Sequence, residues 1–167
     1  MAAKHIVRTK SDHLEGATIR GDSVEKFGGF IYLTAEEDTV CTDADTWYQI
    51  QGTVAAPVLE GFSGGAGGVI SYDGLETKTF EMDWHCSLVK AGAAVTVEVG
   101  IEKNGVLVAS SVMSTVATTL QIGMSGTAAL ELATSDTFAY VVRVLTTAGQ
   151  TITFAHYNAT IRPFFRN

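Results

Sequence analysis

The sequence predicts an all-β fold, an antiparallel β-sandwich of the jelly-roll type. The clearest sign is the strict alternation of apolar and polar residues from Val95 to Glu102. Lys103-Asn104-Gly105 follows it, and Asn-Gly accommodates the positive φ of a tight hairpin turn. A second alternating run extends from Phe80 to Leu88. Turn residues recur about every ten positions without an amphipathic helix, so we expect about eight short strands.

The composition is that of one globular domain with little surface charge. The chain has 167 residues, of which 46% are hydrophobic and 17% are charged. Soluble domains usually carry about a quarter charged residues. A β domain with so little charge tends to bury further surface against copies of itself or against a partner. We therefore expect self-association.

The charge distribution separates the first ten residues from the rest. The formal net charge is −7, and a negative body repels phosphates, so we expect no nucleic acid partner. The first ten residues carry no acidic group and include four basic or titratable side chains: Lys4, His5, Arg8 and Lys10. These side chains could bind an acidic protein surface or form a solvated tail.

Signal peptides and membrane helices both require an apolar run. The start of the chain lacks the apolar run of a signal peptide, and no segment has the roughly 18 apolar residues of a membrane helix. We therefore expect synthesis in a cytoplasm and no membrane partner.

Two parts of the chain differ in pattern. Residues 1–44 are polar and mixed in charge, with one short apolar run at Phe30–Leu33, and we interpret them as an extended N-terminal arm. An alternative places Phe30–Leu33 on the sheet as an extra edge strand. Residues 45–167 are interpreted as the jelly-roll domain. Its further strand candidates are Trp47–Gln51, Leu120–Ile122, Ala128–Leu132, Phe138–Val144 and Thr151–Asn158.

Residues that could carry chemistry give no convincing site. The glycine-rich segment Gly61–Gly74 is interpreted as a flexible loop. Within it, Ser63 lies in a Gly-x-Ser-x-Gly pattern, but the strand and helix that frame a nucleophilic serine are missing from the pattern. His85 and His156 lie inside alternating strands, and His85 is predicted to face solvent. The sequence therefore predicts no enzyme.

The cysteines and histidines show no pattern typical of a metal site or a disulfide framework. Cys41, Cys86, His85 and His156 lack the close pairing of a structural zinc site, so we expect no metal and no cofactor. The two cysteines are interpreted as reduced thiols, although a single bridge between them stays open.

Taken in order, several local patterns resemble a known family. Thr46-Trp47-Tyr48-Gln49-Ile50 is similar to its first strand, and the run from Val97 to Val106 is similar to its hydrophobic strand ending in Lys-Asn-Gly. Leu130 to Phe138 is similar to a strand of the family, the short acidic turn after it and the start of the next strand. Ile152 to Ile161 is similar to the closing strand of the family. These patterns resemble the trimeric C1q/TNF-like jelly rolls that occur in small virion proteins of tailed bacteriophages.

The resemblance implies a homotrimeric virion accessory located in the virion. It would decorate or stabilise the capsid through its N-terminal arm, with the major capsid protein or another virion protein as partner. The alternative is a tail or head-fibre knob that binds a host surface glycan or protein. The arm residues for docking would be Lys4, His5, Arg8 and Lys10.

The resemblance also implies which side chains meet in the trimer. Aromatic side chains near the closing strand meet on the three-fold axis of such domains, which selects Tyr140 and Phe154. Alternation places His156 on the side of Phe154, and it joins them as a predicted interface residue. The alternative is that Tyr140 and Phe154 fill the interior of the sandwich.

Overall fold

A computed structural model of the chain describes residues 28–64 and 68–164, without the side chains of residues 56–59. The described residues form thirteen strands, and Ala109–Ser111 form a 3₁₀ turn. The strands are β1 (Gly28–Leu33), β2 (Glu37–Cys41), β3 (Tyr48–Gln49), β4 (Val54–Glu60), β5 (Phe62–Gly64), β6 (Val69–Tyr72), β7 (Lys78–Val89), β8 (Val95–Lys103), β9 (Val106–Leu107), β10 (Met113–Ala117), β11 (Ile122–Leu132), β12 (Thr137–Val144) and β13 (Gln150–Pro163).

The strands form two antiparallel sheets. Sheet I has the order β11-β7-β13-β1-β4, and β2 pairs with the first half of β13. Sheet II has the order β10-β8-β12-β6-β5, with β3 beside β12 and β9 beside β8. All strand pairs are antiparallel. The prediction of an all-β antiparallel sandwich is confirmed.

The two strands with the strongest alternation form the centre of the core. β7 turns five apolar side chains inward and β8 turns four, and all nine are buried. The intervening residues of β7 face outward, and His85 is exposed as predicted. These inward side chains are Phe80, Met82, Trp84, Cys86, Leu88, Val95, Val97, Val99 and Ile101.

The predicted arm boundary at residue 44 differs from the structure. β1 lies between β13 and β4 and pairs with both, and β2 adds to the same sheet. Ile31 and Cys41 are buried in the core. Residues 28–44 therefore belong to the sandwich, and β1 is an interior strand of sheet I rather than the edge strand of the alternative interpretation. The remaining part of the predicted arm, residues 1–27, lies outside the described residues.

The glycine-rich segment is mostly sheet rather than a loop. β5 and β6 pair through Phe62 and Tyr72 and through Ser63 and Ser71. Phe62, Ile70 and Tyr72 are buried, and the Phe62 ring centroid lies 5.1 Å from that of Phe80. The strand signal escapes sequence analysis because each apolar run is short and glycines surround it.

A β-bulge in β13 changes which side chains share a face. The register of β13 against β7 shifts between Phe154 and His156. The bulge adds one residue to β13 and so interrupts the two-residue alternation. Phe154 and Tyr157 are buried as a result, whereas His156 is exposed on the opposite face. The prediction that His156 shares the side of Phe154 is wrong.

Two turns at one end of the sandwich are tied together by Asn104 and Asp136. The hairpin turn has the predicted positive φ at Asn104 (50°) and Gly105 (75°). Asn104 Nδ2 donates a hydrogen bond to Asp136 Oδ1 at 2.7 Å, and Asn104 Oδ1 accepts one from the Thr137 amide. Lys103 Nζ lies 2.7 Å from Asp136 Oδ2. The Asn-Gly tip therefore also anchors the neighbouring β11–β12 turn.

Replacing Asp136 by asparagine should lower the melting temperature at neutral pH by about 3 °C. Hydrogen bonds from Lys103, Asn104 and the Ala133 amide lower the pKa of Asp136 from 3.8 to about 2. The ionised carboxylate thus stabilises the fold above pH 3.8, and this contribution is lost as the pH falls through about 2. Calorimetry should show the gap between wild type and D136N closing over this range. A gap that stays constant would contradict the assignment.

Candidate functional site

The outward side of sheet I is the candidate functional surface, and we call it the open face. Neighbouring strands place their outward side chains in rows across it. One row runs from β11 through β7 and β13 to β1, and a second row lies two residues further along each strand. The rows are Ser125, His85, Asn158 and Tyr32, and Thr127, Asp83, Thr160 and Phe30.

An aromatic pair dominates the β1 side of the open face. Phe30 and Tyr32 are 41% and 39% exposed. Their ring centroids lie 5.7 Å apart at an interplanar angle of 20°, so the rings stack on each other. They project from an interior strand of the sheet, because β1 is paired on both sides. Sequence analysis missed this surface because Phe30-Ile31-Tyr32-Leu33 is apolar on both faces and does not alternate.

The middle of the open face consists of small polar side chains. His85 and His156 border a shallow depression of about 340 Å³ together with Ser87, Gln121 and Asn158. Gln121 Nε2 donates a hydrogen bond to Ser87 Oγ at 2.8 Å. These side chains offer several hydrogen-bonding groups to a partner next to the exposed rings.

An ion-pair cluster of one arginine and two carboxylates lies on the open face. Arg162 Nε donates to Glu81 Oε2 at 3.0 Å, and its NH2 nitrogen lies 2.8 Å from Asp83 Oδ2. The hydrogen bond with Glu81 and the charge of Asp83 raise the pKa of Arg162. Because one guanidinium serves two carboxylates, the cluster keeps one net negative charge for a partner to accommodate.

A second apolar surface lies at the edge of sheet II. β10 pairs with β8 on one side and ends the order of its sheet. Met113 and Val116 on β10 are 44% and 52% exposed, and Leu120, in the connection to β11, is 75% exposed. Met113 and Val116 lie on opposite faces of β10, so they are joined by the unpaired edge of the strand rather than by a shared face. We call this edge, with Met113, Val116 and Leu120, the edge patch. An exposed edge strand with apolar side chains favours contact with another chain.

The predicted interface residues do not all lie at the surface. Tyr140 and Phe154 are buried within the single chain, on the inner sides of β12 and β13. Both belong to the sandwich interior, as the alternative interpretation stated, because inward side chains of the two sheets meet there. His156 lies on the open face, and its place in an interface stays a prediction. The arm residues Lys4, His5, Arg8 and Lys10 lie outside the described residues.

The other sequence candidates show no further site. Ser63 lies on β5, where its Oγ donates a hydrogen bond to Asp73 Oδ1 at 2.9 Å. The next described strand is β6, which pairs with β5. Within residues 28–64 and 68–164, no three His, Cys, Asp or Glu side chains are placed to hold a metal ion.

Among the residues with assigned structure, no helix is both long and apolar enough to cross a membrane.

We expect neither thiol to react with Ellman's reagent in the folded protein at mildly alkaline pH. Cys41 and Cys86 are unpaired and buried. Burial raises the pKa of the Cys41 thiol to about 11 and that of the Cys86 thiol to about 12. The thiolate is the reactive form, so both groups stay inert. Unfolding in urea should release both thiols. Rapid labelling of one thiol in the folded state would contradict this expectation.

The sequence matches no family model and no curated protein. Several solved structures share its fold at low identity. Eiger TNF from S. frugiperda is 8% identical, with a TM-score of 0.50, and the match covers 85% of this chain and 97% of that chain. The zebrafish complement 1qA globular domain is 9% identical, with a TM-score of 0.46, and the match covers 83% of this chain and 99% of that chain.

Murine APRIL at pH 8.5 is 10% identical, with a TM-score of 0.45, and the match covers 76% of this chain and 97% of that chain. At these identities the likeness concerns architecture. Together with the two antiparallel sheets, the match to Eiger identifies the fold of the chain as a TNF/C1q-like jelly roll.

Proposed function

We propose that this chain is a structural assembly protein that functions as a homotrimer of jelly rolls. The observation that carries the proposal is the stacked pair of Phe30 and Tyr32 exposed on an interior strand of sheet I. Exposed aromatic clusters beside small uncharged side chains are typical of protein interfaces. Covering each ring contributes about 2 kcal/mol from apolar burial alone. A second copy of the same chain is the proposed occupant of this surface.

The edge patch provides the second surface that a closed ring of copies requires. The open face and the edge patch lie on different sheets, so one copy can place its edge patch on the open face of the next. Such a head-to-tail contact is heterologous, and it forms a closed ring when the rotation between copies is a whole fraction of a turn. Three copies would bury all three edge patches and all three aromatic pairs.

The wider role we propose is that of a virion accessory of a tailed bacteriophage, which decorates or stabilises the capsid. The order of the motifs from Thr46 to Ile161 supports this role. The basic residues among the first ten provide the complementary charge for an acidic shell surface. In this arrangement the trimer is the body, residues 1–27 are the anchor, and the major capsid protein is the partner.

Light scattering of the purified protein at micromolar concentration tests the trimer. The expected mass is three times the 17.7 kDa of the chain. A stable monomer would refute the proposal. Antibody labelling of phage particles, viewed by negative-stain microscopy, tests the location, and label over the heads is expected.

A second candidate function is a tail or head-fibre knob that binds a host surface glycan or protein. Leu75 and Val106 favour it, because they are 80% and 70% exposed at one end of the sandwich. The loops at this end are fixed to one another, since Thr134 Oγ1 donates to the Gly74 carbonyl and Asn104 binds Asp136. Fixed loops with exposed apolar tips suit recognition of a receptor. Label on tail tips would favour this function over decoration.

A further inference from the structure

A small cavity between the two sheets is lined by two of the three residues that carry a buried, unsatisfied side-chain polar atom within the described part of the chain. It lies where β1, β12 and β13 meet the segment from Ile50 to Val54. Tyr140 and Tyr157 line it together with Leu33 and Gln51. The cavity is separate from the open face and from the edge patch, and the proposed trimer makes no use of it.

Two buried tyrosines present their side chains to this cavity. Tyr140 and Tyr157 are each 3% exposed, and their ring centroids lie 4.5 Å apart. Neither hydroxyl makes a hydrogen bond of regular geometry to the described residues, although the two hydroxyls lie close enough to interact with each other. A buried hydroxyl without a partner costs about 1–3 kcal/mol, so such groups in folded proteins are usually paired with protein or ordered water.

Both hydroxyls keep their protons at neutral pH. Burial raises the pKa of Tyr140 and also that of Tyr157. Each side chain therefore offers one donor and one acceptor oxygen to the cavity. Gln51 lines the same space and adds a third polar side chain.

The size of the cavity selects the ligand. The space open to the centre of a water-sized sphere is about 10 Å³. A buried water needs about 10–15 Å³ by this measure and two to four polar partners. We propose that Tyr140 and Tyr157 together bind one buried water molecule, which bridges their hydroxyl groups between sheet II and sheet I.

The segment that covers the cavity is held in place from both sheets. The Ile50 amide donates to the Tyr140 carbonyl at 2.9 Å, and the Thr34 amide donates to the Thr53 carbonyl at 3.1 Å. The two hydrogen bonds keep this segment close to the tyrosine side chains. The water would thus act as a structural part of the sandwich, linking β12 to β13.

Tyrosine-to-phenylalanine variants of the full chain test the proposal by the sign of their effect. With a bridging water, Tyr140→Phe and Tyr157→Phe should each raise the unfolding equilibrium constant about fivefold. The double variant should raise it by less than the product, because both hydroxyls bind the same water. Tyr72→Phe is the control, since Tyr72 Oη donates directly to the Glu76 carbonyl at 2.8 Å. An unfolding constant that falls in the single variants would overturn the proposal.

A high-resolution crystal structure distinguishes a bridging water from a direct bond between the tyrosines. The expected result is a density peak about 2.7–3.0 Å from both hydroxyl oxygens. Long-lived water contacts to the two rings in NMR spectra should agree with it. Two hydroxyls in direct contact with no peak between them would refute the water site, and this outcome is independent of the oligomeric state.

Discussion

A chain that begins at residue 45 should lose the cooperative unfolding transition, whereas a chain that begins at Gly28 should keep it. Removing residues 28–44 takes β1 out of the interior of sheet I and leaves β4 and part of β13 without their hydrogen-bond partners. It also removes Ile31 and Cys41 from the core. Truncating a buried isoleucine lowers the free energy of unfolding by about 2–5 kcal/mol. The total free energy of unfolding of a domain is only about 5–15 kcal/mol. Circular dichroism during thermal unfolding measures the outcome.

A point variant tests the same boundary without deleting residues. A Cβ atom on Gly28, where φ is 108°, would lie 2.4 Å from the carbonyl oxygen of Ile161. Gly28→Ala should therefore destabilise the domain by more than about 3 kcal/mol. Gly105→Ala is the matched control, because Gly105 also has a positive φ of 75° but no atom within 4 Å of the added Cβ. Its expected cost is about 1–2 kcal/mol. The two variants should have unequal effects if residues 28–44 belong to the sandwich, so equal effects would contradict this boundary. A cooperative transition in the chain that starts at residue 45 would contradict it as well.

The strands that could be predicted are those with one buried and one solvent-facing side. β7 and β8 alternate because their inward residues fill the core and their outward residues face water. β1 carries rings on its outward side and Ile31 on its inward side, so its pattern resembles an isolated apolar cluster. The exposed rings of Phe30 and Tyr32 take the place of the polar half of the alternation on which a strand prediction depends.

The candidate site was less predictable than the fold for a related reason. Alternation tells which residues share a side of a strand, but it does not tell which side faces the second sheet. The sequence therefore leaves both an interface and the sandwich interior open for Tyr140, and the structure places it in the core on β12, a strand with a neighbour on each side. The bulge after Phe154 has no sequence signature, and it moved His156 to the opposite face. The low charge predicts self-association, which stays a prediction, and the structure places exposed apolar side chains at Phe30, Tyr32 and the edge patch.

Tyr32→Glu should convert the proposed trimer into monomers at micromolar concentration. The substituted side chain is 39% exposed in the single chain, so the fold should tolerate it. Placing an unpaired carboxylate in a covered contact costs about 2 kcal/mol or more at each interface. A closed trimer has three equivalent contacts, so the free energy of association is reduced by roughly 6 kcal/mol in total. Light scattering measures the mass, and an unchanged melting transition of the monomer shows that the fold is intact.

Two further variants decide how the copies meet. Leu75→Glu introduces the same charge at a side chain that is 80% exposed in the connection between β6 and β7, outside the open face and the edge patch, and it should leave the mass unchanged. Val116→Glu alters the edge patch and leaves the open face intact. If the open face of one copy binds the edge patch of the next, Val116→Glu should dissociate the trimer as fully as Tyr32→Glu. If copies instead meet open face to open face, only Tyr32→Glu should act, and the association would then be a two-fold dimer, because an isologous contact pairs copies and cannot close a ring of three.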